Sequence, residues 1–471
     1  MTEAGQVDKT TEQLVEYATS FSAGDLTGSV QEATLLRMVD TIACAIVGYD
    51  ALPVRIAIEA ARPVSSITPA TVLGAGFTTS PELAAFVNTS MVRTYDWNDG
   101  MLAQGGGHPS DMIPAVLAAG ETIHADGQQV MLSIALAYEL LGALGNAAPV
   151  RDRGWDQGTF MGISAALAVG RMLGLNARQL ANAASLALVP HIPLRVNRTG
   201  QLSMWKGSAS ASAMHSALFA VRLAANGMTG PDEPFEGKTG LFDQVTGPFA
   251  VCLPASDSGQ LVIEINHLKL YPAETHAQSL LGLMPTLRAW RPVDEIASIE
   301  IGTYWQAYHE ISMHPSKWDP VTRETADHSL PYLLACALVD GRISVRDTFT
   351  PARIADPALR PVMQKISVTE DPEYTRGFRP AGSAISGVPR SRLRATDIRG
   401  DSFIEEVGFH RGHVMNPMTR ADVDSKFAIA SEGVISDALR DEIRAAWWKA
   451  ADCPDIADLM ALTADFSRSS G

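Results

Sequence analysis

Two short polar segments contain residues whose types and spacing suit acid–base chemistry. The first is Tyr95-Asp96-Trp97-Asn98-Asp99-Gly100, and the second, a few residues later, is Gly105-Gly106-Gly107-His108-Pro109-Ser110-Asp111. Together they place three acids and a histidine around a loop whose glycines can adopt backbone angles that other residues avoid. Because loops commonly carry function, this loop is a candidate active site. A solvated turn with a helix cap is the structural alternative.

His108 stands just before a predicted helix. Pro109 and Ser110 follow it, and a proline beside a short polar residue is a helix-start signal. The unpaired N–H groups of a helix start favour anions. They also disfavour a protonated imidazole, so the placement favours a neutral His108 that can act as a base.

Lys206 and Arg198 form a second candidate, suited to binding a carboxylate. Lys206 opens a predicted helix of small residues at 207–226. A lysine at a helix start opposes the helix dipole, so helix stability does not explain this residue. With Arg198 upstream, it provides a cationic grip for a carboxylate. The alternative is an exposed lysine at a helix end.

Lys269, Tyr271 and His276 gather near a predicted border between two domains. Such borders commonly hold ligand clefts, so these side chains are candidates for the lining of one. The alternative is a helix cap, in which Glu274 or Thr275 serves the first turn.

The composition predicts a globular protein of two domains that binds neither nucleic acid nor a membrane. At 471 residues the chain exceeds one ordinary core, and its content of 46% hydrophobic and 19% charged residues is typical of globular proteins. The net charge of −15 argues against nucleic acid, whose binding depends on basic surface. The first residues lack a signal-peptide pattern. The apolar stretch 131–150 carries Glu139 and Asn146, so we predict a buried helix there rather than a membrane span.

The sequence lacks the familiar signatures of metal and cofactor sites. No P-loop and no dinucleotide fingerprint stands in a supporting context. The segment from His309 to His314 reads H-E-x-x-x-H, one residue too long to place both histidines on one helical face as a zinc protease needs. The cysteines are far apart and form no C-x-x-C pair, so we expect no iron–sulfur cluster and no zinc knuckle. A reduced, cytoplasmic location fits these separate cysteines.

Hydrophobic periodicity predicts a helical first part, a mixed middle and a helical end. Apolar residues recur at helical spacing from about residue 10 to residue 250. Beyond residue 260, short β-branched runs predict strands. The predicted strands are 261–265, 296–301, 364–368 and 391–395, and the predicted helices among and after them are 275–288, 326–340, 438–448 and 455–462.

These elements predict a mainly α protein with an α+β second domain. We place a helical domain at residues 1–267 and a smaller α+β lid at 268–405. The segment 406–471 is predicted to pack back onto the first domain, which makes that domain discontinuous.

Six motifs in this order resemble the MmgE/PrpD family. They are D-W-N-D (96–99), H-P-S-D (108–111), G-W-D-Q (154–157), S-M-W-K-G (203–207), K-L-Y-P…H-A-Q-S (269–279) and R-E-T-A-D-H-S-L-P-Y (323–332). The family includes 2-methylcitrate dehydratase, cis-aconitate decarboxylase and an iminodisuccinate epimerase. The resemblance implies a homodimer without metal or organic cofactor, with the active site between a helical domain and a lid. It also implies a substrate that carries two or three carboxylates.

The resemblance carries the family's catalytic residues onto Asp96, His108, Lys206 and His276. His108 is then the proton-transfer residue, and Asp96 is its partner or the opposing acid or base. Lys206 and His276 hold substrate carboxylates, or His276 protonates the leaving group. The further substrate-binding candidates are Gln157, Arg198, Lys269, Tyr271 and Arg323.

Several positions depart from the dehydratase-like pattern. Gly100 stands where a threonine is usual, Gln104 where a glutamate is usual, and Met112 where an asparagine is usual. Gln157 departs from both the dehydratase and the decarboxylase patterns. The leading hypothesis is a hydro-lyase that dehydrates a 2-methylcitrate-like hydroxy-polycarboxylate. An epimerase of an iminodisuccinate-like dicarboxylate, a cis-aconitate-type decarboxylase and a non-catalytic dimer that binds polycarboxylates are the alternatives.

Overall fold

Helices dominate the computed structural model, which describes residues 7–256, 259–378 and 387–467. Many begin at a polar residue whose side chain accepts a hydrogen bond from the first turn, as Thr27 does from Val30 and Asp126 from Gln129. The helices of the first part of the chain are α1 (Lys9–Ser20), α2 (Gly28–Gly48), α3 (Leu52–Ala61), α4 (Pro81–Arg93), α5 (Ile113–Thr122), α6 (Gly127–Ala147), α7 (Gly158–Met172), α8 (Ala177–Leu188), α9 (Trp205–Ala225) and α10 (Val262–Ile265).

One hydrophobic core unites these helices with the end of the chain. It includes buried side chains between Leu14 and Leu268 and again between Met418 and Phe466, and we call this unit the body. The helices at the chain end are α18 (Arg420–Ser431), α19 (Asp437–Trp447) and α20 (Ile456–Leu462). α18 packs on α2, and α20 packs on α5.

A second core, between Ala273 and Ala395, defines the lid. Its helices are α11 (Gln278–Trp290), α12 (Trp305–Tyr308), α13 (Arg323–Ala326), α14 (Leu330–Asp340), α15 (Pro351–Ile354), α16 (Arg360–Gln364) and α17 (Pro372–Phe378). Its sheet has the strand order β4-β3-β5-β6. The strands are β3 (Ile296–Thr303), β4 (Ile366–Glu370), β5 (Ser391–Asp397) and β6 (Ser402–Val407), and a hairpin of β1 (Ala70–Val72) and β2 (Phe77–Thr79) belongs to the body.

The register of the lid sheet turns its apolar side chains toward α11 and α14. β3 pairs in parallel with β4 and antiparallel with β5, so that Ile301 lies between Val368 and Leu393. Side chains alternate between the two faces of a strand, and the buried residues of β3 and β5 belong to the same core as α11 and α14. The predicted class, mainly α with an α+β second domain, is confirmed.

One predicted strand is wrong, because residues 262–265 form the short helix α10. The β-branched run has a strand-like composition, but its environment decides its conformation. Glu264 accepts from the backbone N–H of Leu261 (2.7 Å), and Glu139 on α6 accepts from that of Val262 (2.8 Å). Tertiary contacts therefore override β-propensity here. The hairpin β1–β2 and the edge strand β6 were not predicted.

The most apolar long helix is α6, and it is a core helix as predicted. By length and composition it could cross a membrane, but 83% of its apolar window is buried inside the protein. Tyr138 and Glu139, both buried on this helix, hydrogen-bond to other parts of the body.

Candidate active site

A cleft lies where loops of the body meet the first turn of the lid. Its empty volume is about 560 Å³, including the open solvent at its mouth. It is lined by Arg93, Asp96, Met101, Leu102, Gly107, His108, Arg151, Gln157, Arg195, Arg198, Glu274, Thr275, His276, Glu310 and His328. An outer chamber, with Trp305, His309 and Phe378 in its wall, shares several of these residues.

Asp96 is the centre of a buried cluster of charges at the inner end of the cleft. α4 ends at Arg93, and Asp96 then adopts a left-handed backbone (φ 53°), an uncommon conformation for a residue other than glycine. Its carboxylate pairs with Arg93 and lies 2.6 Å from Lys269 Nζ and 3.8 Å from Lys206 Nζ. Burial raises the pKa of Asp96, but Arg93 and Lys269 outweigh burial and hold it well below the usual value. Asp96 is therefore ionised.

Lys206 joins the body to the lid through Asp327. It is the second residue of α9, and its Nζ lies 2.9 Å from both carboxylate oxygens of Asp327, which lies between α13 and α14. His328 Nδ1 is 2.6 Å from Asp327 Oδ1, and His328 Nε2 is 3.3 Å from Asp96 Oδ2. Burial and then the Lys206 cation lower the pKa of His328 to about 4. Burial lowers the pKa of Lys206 to about 8, despite its two carboxylate neighbours.

His108 is a neutral, oriented imidazole at the start of the turn Pro109–Met112 that leads into α5. Its Nδ1–H donates to the carbonyl oxygen of Asp99 (2.7 Å), and its Nε2 accepts from Arg93 Nη2 (2.9 Å). Burial and the Arg93 cation hold the pKa of His108 well below its usual value. Its basic nitrogen is therefore Nε2, which faces the guanidinium.

Asp99 fixes the polar loop that carries His108. Its buried carboxylate accepts from the backbone N–H and hydroxyl of Ser110 (3.0 and 2.6 Å), from the Tyr138 hydroxyl (2.8 Å) and from Asn266 Nδ2 (2.6 Å). These bonds tie both ends of the loop to α6 and to the connection into the lid.

The neighbours of Gly100 explain why no side chain is present at this position. A Cβ atom there would lie 2.7 Å from His267 Nε2 and 3.1 Å from Thr275 Oγ1. The ring of His267 therefore occupies the space that a threonine at position 100 would need. Of the other departures, Gln104 is exposed outside the cleft lining and Met112 is buried in the body core.

His276 lies on the lid side of the cleft, in the turn before α11. Its Nδ1 shares a 2.5 Å hydrogen bond with the hydroxyl of Tyr304, and its Nε2 is 3.8 Å from Glu274 Oε1. Tyr304 stacks on Phe378, with ring centroids 4.2 Å apart, and burial raises its pKa well above the usual value. Burial also raises the pKa of Glu274 to about 7. His276 is thus held between a protonated phenol and a carboxyl group that titrates near neutrality.

Three arginines of the body line the outer end of the cleft. Arg151 Nη2 and Arg195 Nη2 both donate to Glu310 Oε1 of the lid, at 3.1 and 2.6 Å. Arg198 donates through Nε and Nη2 to Asp156. Burial works against ionisation of Glu310, yet His309 and the two arginines hold its pKa well below the usual value.

The cleft brings together most of the side chains that the sequence selected. Asp96, His108, His276, Gln157 and Arg198 line it, and Lys206 and Lys269 contact Asp96 from behind. Besides Lys269, two predicted substrate-binding residues lie outside the lining. Tyr271 is part of the lid packing, and Arg323 pairs with Glu324 and Asp327 and lies over the ring of Tyr95.

Several residues of the cleft were not selected from the sequence. Asp327 and His328 are adjacent in the D-H-S motif, so an acid next to an imidazole was a usable signal. The others carry no local signal, because their role depends on partners far away in the chain. They are Arg93, Arg151, Arg195, Glu274, Tyr304 and Glu310.

Among the described residues, the ligand atoms of Asp96, Asp327 and His328 lie close enough together to hold a metal ion. Their carboxylates already pair with Lys206, Lys269 and Arg93. A metal ion at this point would meet three cations, so the arrangement fits an incoming anion better than a cation.

Comparison with known proteins identifies the family of the chain. A model of the MmgE/PrpD N-terminal domain matches residues 12–252, and a model of the MmgE/PrpD C-terminal domain matches residues 271–450. Similar curated proteins include a 2-methylcitrate dehydratase of Cupriavidus necator, 29% identical over 80% of this chain and 81% of that protein. One of Escherichia coli K12 is 26% identical over 72% and 74%, and a mitochondrial one of Yarrowia lipolytica is 26% identical over 79% and 74%. The resemblance seen in the six motifs is confirmed, and the chain belongs to the MmgE/PrpD family.

Proposed function

We propose that this protein is a hydro-lyase that removes water from a 2-methylcitrate-like hydroxy-polycarboxylate, using side chains alone. The name of the relatives, 2-methylcitrate dehydratase, supports the reaction class. The observation that carries the proposal is the meeting of buried cations and two oriented histidines in one cleft. Dehydration next to a carboxylate needs a base, an acid and a stabiliser of negative charge.

His108 is the base in this proposal. Its Nε2 carries the lone pair, because Nδ1–H is committed to the carbonyl oxygen of Asp99. A substrate carboxylate that binds Arg93 competes with Nε2 for the same guanidinium donor. Nε2 is then free to take the proton from the carbon next to the carboxylate, and the electron pair of that C–H bond forms the new double bond.

His276 is the acid that completes the elimination. In its protonated form, Nδ1–H donates to Tyr304, and Nε2–H lies toward Glu274 at the cleft surface. As the C–O bond breaks, the leaving hydroxide takes the Nε2 proton and departs as water.

Arg93, Lys206 and Lys269 stabilise the negative charge that develops on the substrate carboxylate. All three are buried, so their attraction for an anion is weakly screened. Asp96 is ionised and surrounded by these cations, which favours a positioning role over that of a proton acceptor. It fixes the cations that the substrate then shares.

Proton NMR in D2O tests the reaction. The purified protein is given citrate, 2-methylcitrate, cis-aconitate and iminodisuccinate in turn, and we expect new vinyl or methyl signals from a hydroxy acid. His108→Gln should lower the rate by about 10²–10⁴-fold with unchanged circular dichroism. His124→Gln is the matched control, because His124 is an exposed histidine paired with Asp455. An active His108→Gln, or no new signal from either hydroxy acid, would contradict the proposal.

One observation favours epimerisation as a second candidate. His108 and His328 both line the cleft, and burial lowers the pKa of each, so both are neutral bases. In a two-base epimerase, a neutral histidine removes the proton from one side of the carbon and a protonated histidine returns a proton to the other side. The same NMR experiment separates the two reactions, because epimerisation places deuterium next to a carboxylate and leaves the carbon skeleton unchanged.

A further inference from the structure

We infer that the outer end of the cleft is a binding subsite for a second carboxylate of the substrate, formed by Arg195 and Gln157 with Arg151 beside them. The inference rests on the proposed function in that it names the part of a polycarboxylate that lies farthest from the reacting carbon. Arg195 and Arg151 are residues that neither the six motifs nor the predicted site contains.

The first support is unsatisfied hydrogen-bonding capacity. Gln157 is only 5% exposed, and its Nε2 has no hydrogen-bond partner. Arg195 Nη1 is also buried and without a partner, although Nη2 of the same guanidinium donates to Glu310. Buried donors in folded proteins are nearly always paired, so two unpaired donors whose residues line one cleft call for an acceptor.

The second support is the charge at this end of the cleft. Arg151 and Arg195 both donate to one oxygen of a single carboxylate, Glu310 Oε1. This end of the cleft therefore has more positive than negative charge. Arg198 does not add to that excess, since both of its hydrogen bonds go to the carboxylate of Asp156. Burial, followed by the Arg151 cation, lowers the pKa of Arg195 to about 10. One further negative charge would balance the second arginine and favour the charged form of the Arg195 guanidinium.

The number of free donors and the charge favour a carboxylate over a neutral group. Both unpaired donors are buried, so their desolvation has already taken place on folding. Because both residues line the cleft, we infer that side-chain rotation brings the two donors to a bound acceptor. An anion with two oxygens satisfies both donors together and balances the second arginine, whereas a hydroxyl satisfies one donor and no charge.

Glu310 is a positioning residue in this arrangement. It reaches from the lid to the two arginines of the body and holds them side by side at the cleft wall. Arg93, at the inner end of the cleft, then holds one end of the substrate, and the Arg195–Gln157 subsite holds the other.

Calorimetric titration with tricarballylate tests the subsite without any turnover. This tricarboxylate has no hydroxyl group, so it cannot be dehydrated. We expect Arg195→Gln to weaken its binding at least tenfold, and Arg195→Lys to weaken it less. Arg291→Gln is the control, since Arg291 pairs with Asp397 and Asp401 away from the cleft, and its affinity should equal that of the unmodified protein.

A second series at Gln157 guards against misfolding of the Arg195 variants. Gln157→Met keeps the length of the side chain but removes both donors, and we expect affinity to fall about threefold to tenfold. Gln157→Glu keeps the shape and adds an anion, so it should weaken tricarballylate more than Gln157→Met does. The reverse order, or unchanged affinity in a folded Arg195→Gln, overturns the subsite. Failure of the unmodified protein to bind tricarballylate overturns it as well.

These binding experiments test the subsite independently of the proposed dehydration. Binding that depends on Arg195, together with no dehydration of any hydroxy acid, would retain the subsite and reject the hydro-lyase. Dehydration with unchanged tricarballylate affinity in the Arg195 and Gln157 variants would retain the hydro-lyase and reject the subsite.

Discussion

Burial decides the protonation of the acids and bases in this cleft. Asp96 and Glu274 are both buried carboxyl groups, but Asp96 meets Arg93 and Lys269 and stays ionised. In Glu274 burial prevails over the more distant Lys269 and raises the pKa to about 7. Two carboxyl groups lining one cavity thus differ in charge because only one of them contacts cations directly.

Glu274 should leave a signature in the pH dependence of stability. Its pKa is raised from 4.5 on folding, so the stability that it contributes is complete below about pH 4.5 and is lost as the pH rises through about 7. We therefore expect the free energy of unfolding to fall over this range. In Glu274→Gln the fall should be smaller by on the order of 3 kcal/mol.

Denaturant unfolding at several pH values between 4 and 8 measures this difference. The fall does not vanish in the variant, because burial raises the pKa of Asp111 to about 7 as well. Glu59→Gln, which removes an exposed carboxylate paired with Arg62, should follow the unmodified protein. Equal slopes for Glu274→Gln and the unmodified protein would refute the assignment.

A single site residue could be predicted from the sequence when its residue type was unusual for its place in a predicted element. Lys206 was selected because a lysine at a helix start opposes the helix dipole. Its partner Asp327 lies 121 residues later, and no local pattern connects the two. Arg195 and Glu310, 115 residues apart, were invisible for the same reason.

At the scale of elements, the loop from Asp96 to Asp111 depends on close backbone contact with the connection into the lid. The backbone N–H of Gly100 donates to the carbonyl of His267 (3.0 Å), and the two residues form an isolated β-bridge. This bridge brings the His108 loop against the segment that carries Lys269 and His276.

Gly100→Ala should therefore destabilise the protein. Its new Cβ would lie 2.7 Å from the ring of His267, and overpacking of this kind costs about 1–3 kcal/mol. Thermal unfolding with the rate of the catalysed reaction as a second readout checks this, and we expect both to fall. Gly282→Ala is the control, because that helical glycine of α11 has open space around it and should gain about 0.5–1 kcal/mol. Equal melting temperatures for the two variants would contradict the steric argument.

Elements were predictable where local pattern and burial agree. β3 has β-branched residues alternating between buried and exposed positions, and it was predicted correctly. α10 has a similar composition, but Glu139 and Glu264 bind its first backbone N–H groups, which makes it helical. The first of these contacts comes from α6, so a window around residue 262 does not contain the information that decides the structure.

At the scale of the whole molecule, we propose a homodimer. The resemblance implies it, and the segment 189–205 presents several exposed apolar side chains, which are uncommon as a group on a monomer surface. They are Val189, Leu194, Val196, Met204 and Trp205, between 43% and 73% exposed.

Sedimentation equilibrium measures the association. We expect twice the mass of one chain at micromolar concentration, and a shift toward the mass of one chain in Val189→Glu. Ile67→Glu changes a fully exposed isoleucine elsewhere on the body and should leave the dimer intact. A single-chain mass for the unmodified protein would rule the dimer out, and an unshifted Val189→Glu would place the contact on another surface.

The pairing of Glu310 with two arginines has a consequence for how tightly the cleft retains an anion. Glu310 is an internal carboxylate that already occupies part of the hydrogen-bonding capacity of Arg151 and Arg195. Binding of a polyanion at this end therefore places a second carboxylate near Glu310, and the measured affinity is what remains after the repulsion between the two anions. An enzyme that attracts a polyanion must also let an equally charged product go. The repulsion from Glu310, which keeps its two arginines throughout, favours that release.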